Sequence, residues 1–244
     1  IEGTGNYTGT AATVWEITRI DPKLEDFDVA PDLTADLTYN GEARIVTVTT
    51  KAGIRGMGAI TVKYNGSTET PVNAGSYAIT IDIGEGGNYK AATGIAAGTL
   101  TIQKAAAPTL AEILGSHEYA TTGEQTISTA ALVADATGYA LGEIPENEIV
   151  SQVSVSADGA LKYTLTGKAA AGSAVTIPVT ITSANYEDAT VNVVITITKA
   201  TPTGEPGYNE IHDSSKTLAD AGLELINSTL NPKEGTLEWI DSKG

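Results

Sequence analysis

Tyr77, Ile79, Ile81 and Ile83 alternate with small or polar residues, and Val175, Ile177, Val179 and Ile181 do the same. An apolar side chain at every second position marks a strand with one face in a core. On this pattern strands are expected over 43–50, 59–64, 76–83, 99–103, 150–155, 161–166, 175–182 and 191–198. Asn40-Gly41 and Asn65-Gly66 each follow a tyrosine, and both residue types accept positive φ, so tight turns are expected there. Asp158-Gly159 predicts a hairpin between the 150–155 and 161–166 runs. Two stretches allow a helix. One is 108–114, and the other is 216–226, where Leu218, Ala221 and Leu225 share a face. Gly222 inside the second costs a helix roughly 1 kcal/mol.

The pattern repeats. Gly5-Asn6-Tyr7, Gly87-Asn88-Tyr89 and Ala184-Asn185-Tyr186 each precede a β-rich run ending in a basic residue, namely Arg19, Lys104 or Lys199. The tyrosines are 82 and 97 residues apart, a spacing that suits small β-sandwiches. Ala74-Gly75-Ser76 precedes Asn88 by the same offset as Ala171-Gly172-Ser173 precedes Asn185, yet the apolar alternation between them is out of step by one residue. Such a slip turns every side chain to the other sheet face, so either a bulge or a shifted turn compensates or the two modules are only distant cousins. Pro22, Pro108 and Pro202 follow the basic residues, where a missing donor stops a ladder. The expected organisation is a terminal strand of a preceding module (1–20), a full module (21–104), a second full module (105–200) and an incomplete head of a further one (201–244). Links this short favour modules packed end to end in an elongated row.

Composition narrows the class. The 244 residues include 36 Thr, 26 Gly and 10 Tyr, which favours an all-β chain, and the 41% hydrophobic content is enough for packed cores. The net charge of −16 repels phosphate backbones and anionic headgroups, so nucleic-acid binding is not expected. No apolar run reaches the roughly 18 residues of a membrane span, so direct membrane insertion is not expected either. No Cys is present, which removes disulfides, thiolate zinc sites and Cys nucleophiles. Few sulfur residues with much Thr and Gly fit a secreted bacterial chain.

The ordered landmarks Tyr39-Asn40-Gly41, Val62-Lys63-Tyr64-Asn65-Gly66, Asn73-Ala74-Gly75-Ser76-Tyr77, Gly87-Asn88-Tyr89 and Gly98-Thr99-Leu100-Thr101-Ile102-Gln103-Lys104-Ala105 resemble the MBG-type repeat of bacterial surface proteins over about 21–105. Ala136 to Gly142, Leu161 to Leu165 and Ala171 to Thr198 look like the Ig-like or cadherin-like stalk modules beside such repeats in cell-wall proteins of gut Firmicutes. Thr217 to Ala221 with Gly235 to Trp239 is similar to a third module type of those proteins. The resemblance implies tandem small β-sandwich (Ig-like) modules, with a β-grasp variant for the first full module as the second choice. It implies an extracellular, cell-wall location and a non-catalytic role, spacing or presenting a functional head. It carries no catalytic residue and no cofactor. The chain departs from the full-length pattern in lacking a signal peptide and a sorting motif, as expected of a fragment. The alternatives are a module binding a glycan or host glycoprotein, and an accessory region of a carbohydrate-active enzyme. The remaining expected partners are neighbouring modules of the same chain.

Few residues suggest chemistry. His117-Glu118 begins like a zincin helix, but Thr121 stands where the second His belongs. His212 is equally isolated, and no G-x-S-x-G elbow occurs. Asp21, Glu25, Asp26 and Asp28, with Asp32 and Asp36 beyond, are the calcium candidates, because hard Ca²⁺ takes six to eight oxygens. The competing reading is an acidic edge that discourages strand-to-strand aggregation. Trp15 and Trp239 are the planar candidates for a sugar platform, although their apolar neighbours favour core packing. Tyr7, Tyr89 and Tyr186 are expected to anchor a turn, ring inward and hydroxyl on backbone. Lys63 and Lys162 are the candidates for an isopeptide crosslink, but alternation points them to solvent. The strand 12–18 is expected to pair with the adjacent module or a neighbouring chain, since an orphan strand leaves its backbone groups bare.

Overall fold

The structure is a computed structural model. It describes residues 2, 5–6, 8–33, 37–201, 203–205, 207–208, 212–217, 220, 223–224 and 238. Tyr7, Asp36, Trp239 and most of the 201–244 segment lie outside the described residues. The chain is all-β and builds small sandwich-like modules. It divides into two compact units, one of residues 1–106 with 184–187 and one of residues 107–183 with 188–244.

The first unit holds β1 (Phe27–Ala30), β2 (Leu37–Thr38), β3 (Thr47–Thr50), β4 (Ile60–Tyr64), β5 (Gly75–Ile83) and β6 (Ala92–Gln103). One sheet pairs β1 with β3, and the other runs β2-β6-β5-β4, with β2 parallel to β6 and the rest antiparallel. Val46, Tyr64, Ile79 and Leu100 form one buried cluster, and Phe27, Ile81 and Ile83 another. The helical residues among those described in this unit are the single turn Leu24–Asp26, so the helix of a β-grasp fold is not found there.

The second unit holds β7 (Ile113–Glu118), β8 (Thr122–Ser128), β9 (Ala136–Leu141), β10 (Val150–Val155), β11 (Ala160–Thr166), β12 (Ala174–Ser183) and β13 (Ala189–Thr198). Its four-stranded sheet runs β7-β13-β12-β9, with β7 parallel to β13. The order and directions repeat those of the first unit: a parallel edge strand, the last strand, the penultimate strand and an antiparallel neighbour. The facing sheet is β10-β11-β8, and Leu161, Tyr163, Leu165, Ile177, Val179, Val193 and Ile195 are buried between the two sheets. Two short strands, β14 (Gly207–Tyr208) and β15 (Leu223–Glu224), pair further on.

The one-residue slip has a structural resolution. β5 starts at Gly75, so that landmark is already strand, whereas Ala171-Gly172-Ser173 is a turn closed by Ser173 N–H to Ala170 O, and β12 starts after it. The partner strands differ as well. Ile79 pairs with Gly98 but Thr80 with Ala96, leaving Ala97 as a bulge. That extra residue lets Ile95 and Ala97 face inward on one side of the bulge and Leu100 and Ile102 on the other. β12 and β13 pair without a break from Ala174↔Thr196 to Ile181↔Ala189.

The first helical alternative is not found. Residues 108–112 are irregular and Ile113–Leu114 already belong to β7. Strand pairing of β13 on a parallel neighbour overrides the weak local preference of a two-turn helix. In 216–226, Asp220 is helical and Leu223–Glu224 is strand, and most of the remainder of the second alternative lies outside the described residues. The 43–50 strand shortens to β3, because Arg44 N–H goes to Pro71 O and Val46 N–H to the Tyr64 hydroxyl. Residues 12–18 join no strand and no bridge, and Trp15 is 75% exposed, so neither the expected pairing nor the expected core packing is realised within this chain.

Candidate functional site

The recurring Asn-Tyr turn is a built feature. In the first unit, Asn88 donates its side-chain Nδ2 to Arg55 O at 3.0 Å, and its backbone N–H reaches Gly56 O. A Cβ on Gly56 would lie 2.8 Å from Asn88 Nδ2, so glycine is required for this approach. Tyr89 is buried. The turn then clasps the preceding linker: Ile20 N–H donates to Asn88 O at 3.0 Å, and Lys90 N–H donates to Ile20 O at 2.9 Å. The same two bonds recur at residues 184–187, which also belong to this unit. Ala105 N–H donates to Asn185 O at 2.9 Å, and Glu187 N–H donates to Ala105 O at 2.8 Å.

Asn185 is buried, accepts Ala74 N–H on Oδ1 and donates to Asn73 Oδ1. Tyr186 packs edge-on against Tyr39, with centroids 5.5 Å apart. Ile20 and Ala105 each stand one residue after the basic end of a terminal run. Sequence reasoning found the turns but missed the residues they hold. The signal was present, because Arg19-Ile20 and Lys104-Ala105 occupy the same place in the repeat.

Each unit also carries a tyrosine hydroxyl that ties its two sheets. Val46 N–H donates to the Tyr64 hydroxyl at 2.7 Å in the first unit. In the second, His117 Nε2 and the Tyr163 hydroxyl are 2.9 Å apart. His117 therefore stands on β7 as a structural partner, and burial pushes the Tyr163 phenol above its ordinary value. His212 is exposed at the margin of the described residues.

The calcium candidates do not gather. Asp21 is exposed and ion-pairs with Lys90 at 3.2 Å. Asp26 spends an oxygen on Lys23 N–H, closing the Leu24–Asp26 turn. Glu25 and Asp28 are exposed on that turn and on β1. Among the described residues no three His, Asp or Glu side chains are placed to share a metal ion.

Lys63 stands on the outer face of its sheet, as its alternation suggested, since it pairs with Thr80 while Ile79 and Ile81 are the buried positions. It is half-buried and pairs with Asp82 at 2.6 Å. The Lys63 hydrogen bond, then the Gly94 N–H, hold the Asp82 carboxyl below the usual carboxylate range. An ionised carboxylate facing an ammonium is the wrong state for amide condensation. Lys162 is exposed beside Glu124.

Two open hollows occur in the first unit. One of about 420 Å³ is lined by Val29, Asp32, Leu33, Ala97, Gly98 and Thr99, and the bulge forms its floor. One of about 190 Å³ lies between Ile17–Ile20 and Gly87-Asn88. Among the described residues, the larger brings Asp32 and Thr99 to a wall otherwise of apolar residues and glycine.

No curated protein matches the chain. Among solved structures, the endo-fucoidan hydrolase MfFcnA4 from glycoside hydrolase family 107 is similar at 12% identity, over 59% of this chain and 24% of that one, with a TM-score of 0.27. SGBP-B of the Bacteroides ovatus mixed-linkage glucan utilization locus, in complex with a mixed-linkage heptasaccharide, is similar at 16% identity, over 72% of this chain and 48% of that one, with a TM-score of 0.22. The chain thus spans from about a quarter to about half of the proteins it resembles. Residues 32–106 match the MBG domain family.

Proposed function

We propose that the chain is a non-catalytic run of β modules from an extracellular bacterial surface protein, serving to space or present a functional head. The observation that carries this reading is the repeated clasp. Ile20 and Ala105 are held by the same pair of backbone bonds on the same Asn-Tyr turn. A joint made of main-chain bonds is indifferent to side-chain identity in the linker, which suits a device reused along a chain. Each module buries its own apolar residues, so length is gained by adding units.

Pulling the full chain from its two ends tests this reading. Separate unfolding steps are expected, each releasing on the order of 300 Å for a module of about 90 residues. A single rupture releasing the whole chain at once would overturn it.

Glycan recognition is the second reading, favoured by the exposed indole of Trp15. The mixed-linkage heptasaccharide is the first probe to try. Micromolar binding by calorimetry would replace the spacer reading with this one.

A further inference from the structure

Two strands in this chain close a four-stranded sheet just before a basic residue, and a third segment has the same sequence position without a sheet. The clasp fixes the alignment. Ile20 and Ala105 make the same two bonds, so Arg19 corresponds to Lys104, and the segment 13–19 corresponds to 98–104. Lys199 ends β13 in the same way, which aligns 193–199.

Position by position, Trp15 then matches Leu100 and Ile195, and Ile17 matches Ile102 and Ile197. Those four residues are 1%, 0%, 2% and 6% exposed, while Trp15 and Ile17 are 75% and 79% exposed. The intervening Glu16 matches Thr101 and Thr196 on the outer face. A strand whose two inward positions are this apolar and this bare lacks the core that its counterparts have. β6 and β13 also share their neighbours: a parallel strand on one side (β2 or β7) and an antiparallel one on the other (β5 or β12).

We propose that residues 13–19 are the closing strand of a further β-sandwich of this type, entering between a parallel and an antiparallel strand with Trp15 and Ile17 turned into its core. The partner is a sandwich module open at its last-strand position, with an apolar inner face and unpaired backbone groups on both sides of the gap. The proposal rests on reading the chain as a series of sandwich modules. It assigns Trp15 to a protein core and takes it away from the glycan reading.

The test supplies such a partner to the full chain. Residues 107–192 are repeated directly ahead of Thr13, so that 13–19 follows as the last strand of the added module. In the control the repeat stops at Val191, which turns every side chain of 13–19 to the opposite face. W239F leaves Trp15 as the only tryptophan in both proteins, since the repeated segment contains none.

Iodide quenching of Trp15 is expected to fall at least about fivefold, and amide exchange over 13–19 to slow at least about a hundredfold, in the first protein relative to the control. Equal quenching and exchange in the two, whether both exposed or both protected, would overturn the proposal. So would protection of Trp15 in the unextended chain by the mixed-linkage heptasaccharide alone. Stepwise unfolding under force does not depend on 13–19, so it can succeed or fail separately from this result.

Discussion

Gly58 shows how far a single atom matters. A Cβ there would lie 2.0 Å from Gly84 O, and both neighbours at that crossing are backbone. G58A is expected to cost about 3 kcal/mol in urea unfolding, since Gly84, just beyond β5, is held to Ala59 O by its N–H and cannot retreat without losing that bond. The Tyr163–His117 bond offers a second test at this scale. Burial raises the Tyr163 pKa above its reference of 10.0, so the folded state holds that proton more tightly than the unfolded one. Stability from this group is complete below pH 10 and is lost as pH rises through the folded pKa. Y163F is expected to lose about 1 kcal/mol at neutral pH, from the missing bond to His117, and to lose stability less steeply as pH rises above 10. Asp82 works in the other direction. Its folded pKa lies below 3.8, so its contribution is complete above that value and is lost as pH falls through the folded pKa. D82N is therefore expected to lower the melting temperature at pH 7, by an amount that shrinks as pH falls below 3.8. A loss that stays constant as pH falls would separate Lys63 from this effect.

At the scale of elements, β5, β10, β11, β12 and β13 were legible because period-2 alternation and turn residues agreed over six or more positions. I177A, at a fully buried position in β12, is expected to cost about 2–4 kcal/mol by chemical denaturation. The strands that escaped are those with weak patterns. β7 (Ile113–Glu118) is a parallel edge of Ile, Leu, Gly, Ser, His and Glu, and it exists because β13 offers it a ladder. β2 is two residues long and is placed in the same way by β6. The slip between modules allowed a bulge, a shifted turn or merely distant cousins, and alternation alone could not choose the bulge at Ala97, since it cannot say which partner carries an extra residue. Pro178 sits within a central strand and loses no ladder donor that matters: its carbonyl accepts Gly142 N–H just where β9 has ended at Leu141.

For the molecule as a whole, charge is the dominant long-range quantity. A net −16 on 244 residues repels itself, and screening relieves that repulsion. The melting temperature is expected to rise between 10 and 150 mM NaCl. At matched ionic strength, calcium and magnesium are expected to raise it equally, because Asp21 is already paired with Lys90 and Asp26 has one oxygen on the Lys23 N–H. A gain with calcium alone, reversed by chelator, would restore the acidic segment as a metal site.

Sequence by itself determined the all-β class, the tandem repeat, the Asn-Tyr turns and the lack of any cysteine. Those properties are written in local periodicity, in turn chemistry and in composition. Only the tertiary structure decided that Ile20 and Ala105 are what the turns hold, that His117 meets Tyr163, that Lys63 meets Asp82, and that Trp15 is left bare. Each of those depends on which residues far apart in the chain come to lie side by side, and periodicity along one strand carries no record of its partner.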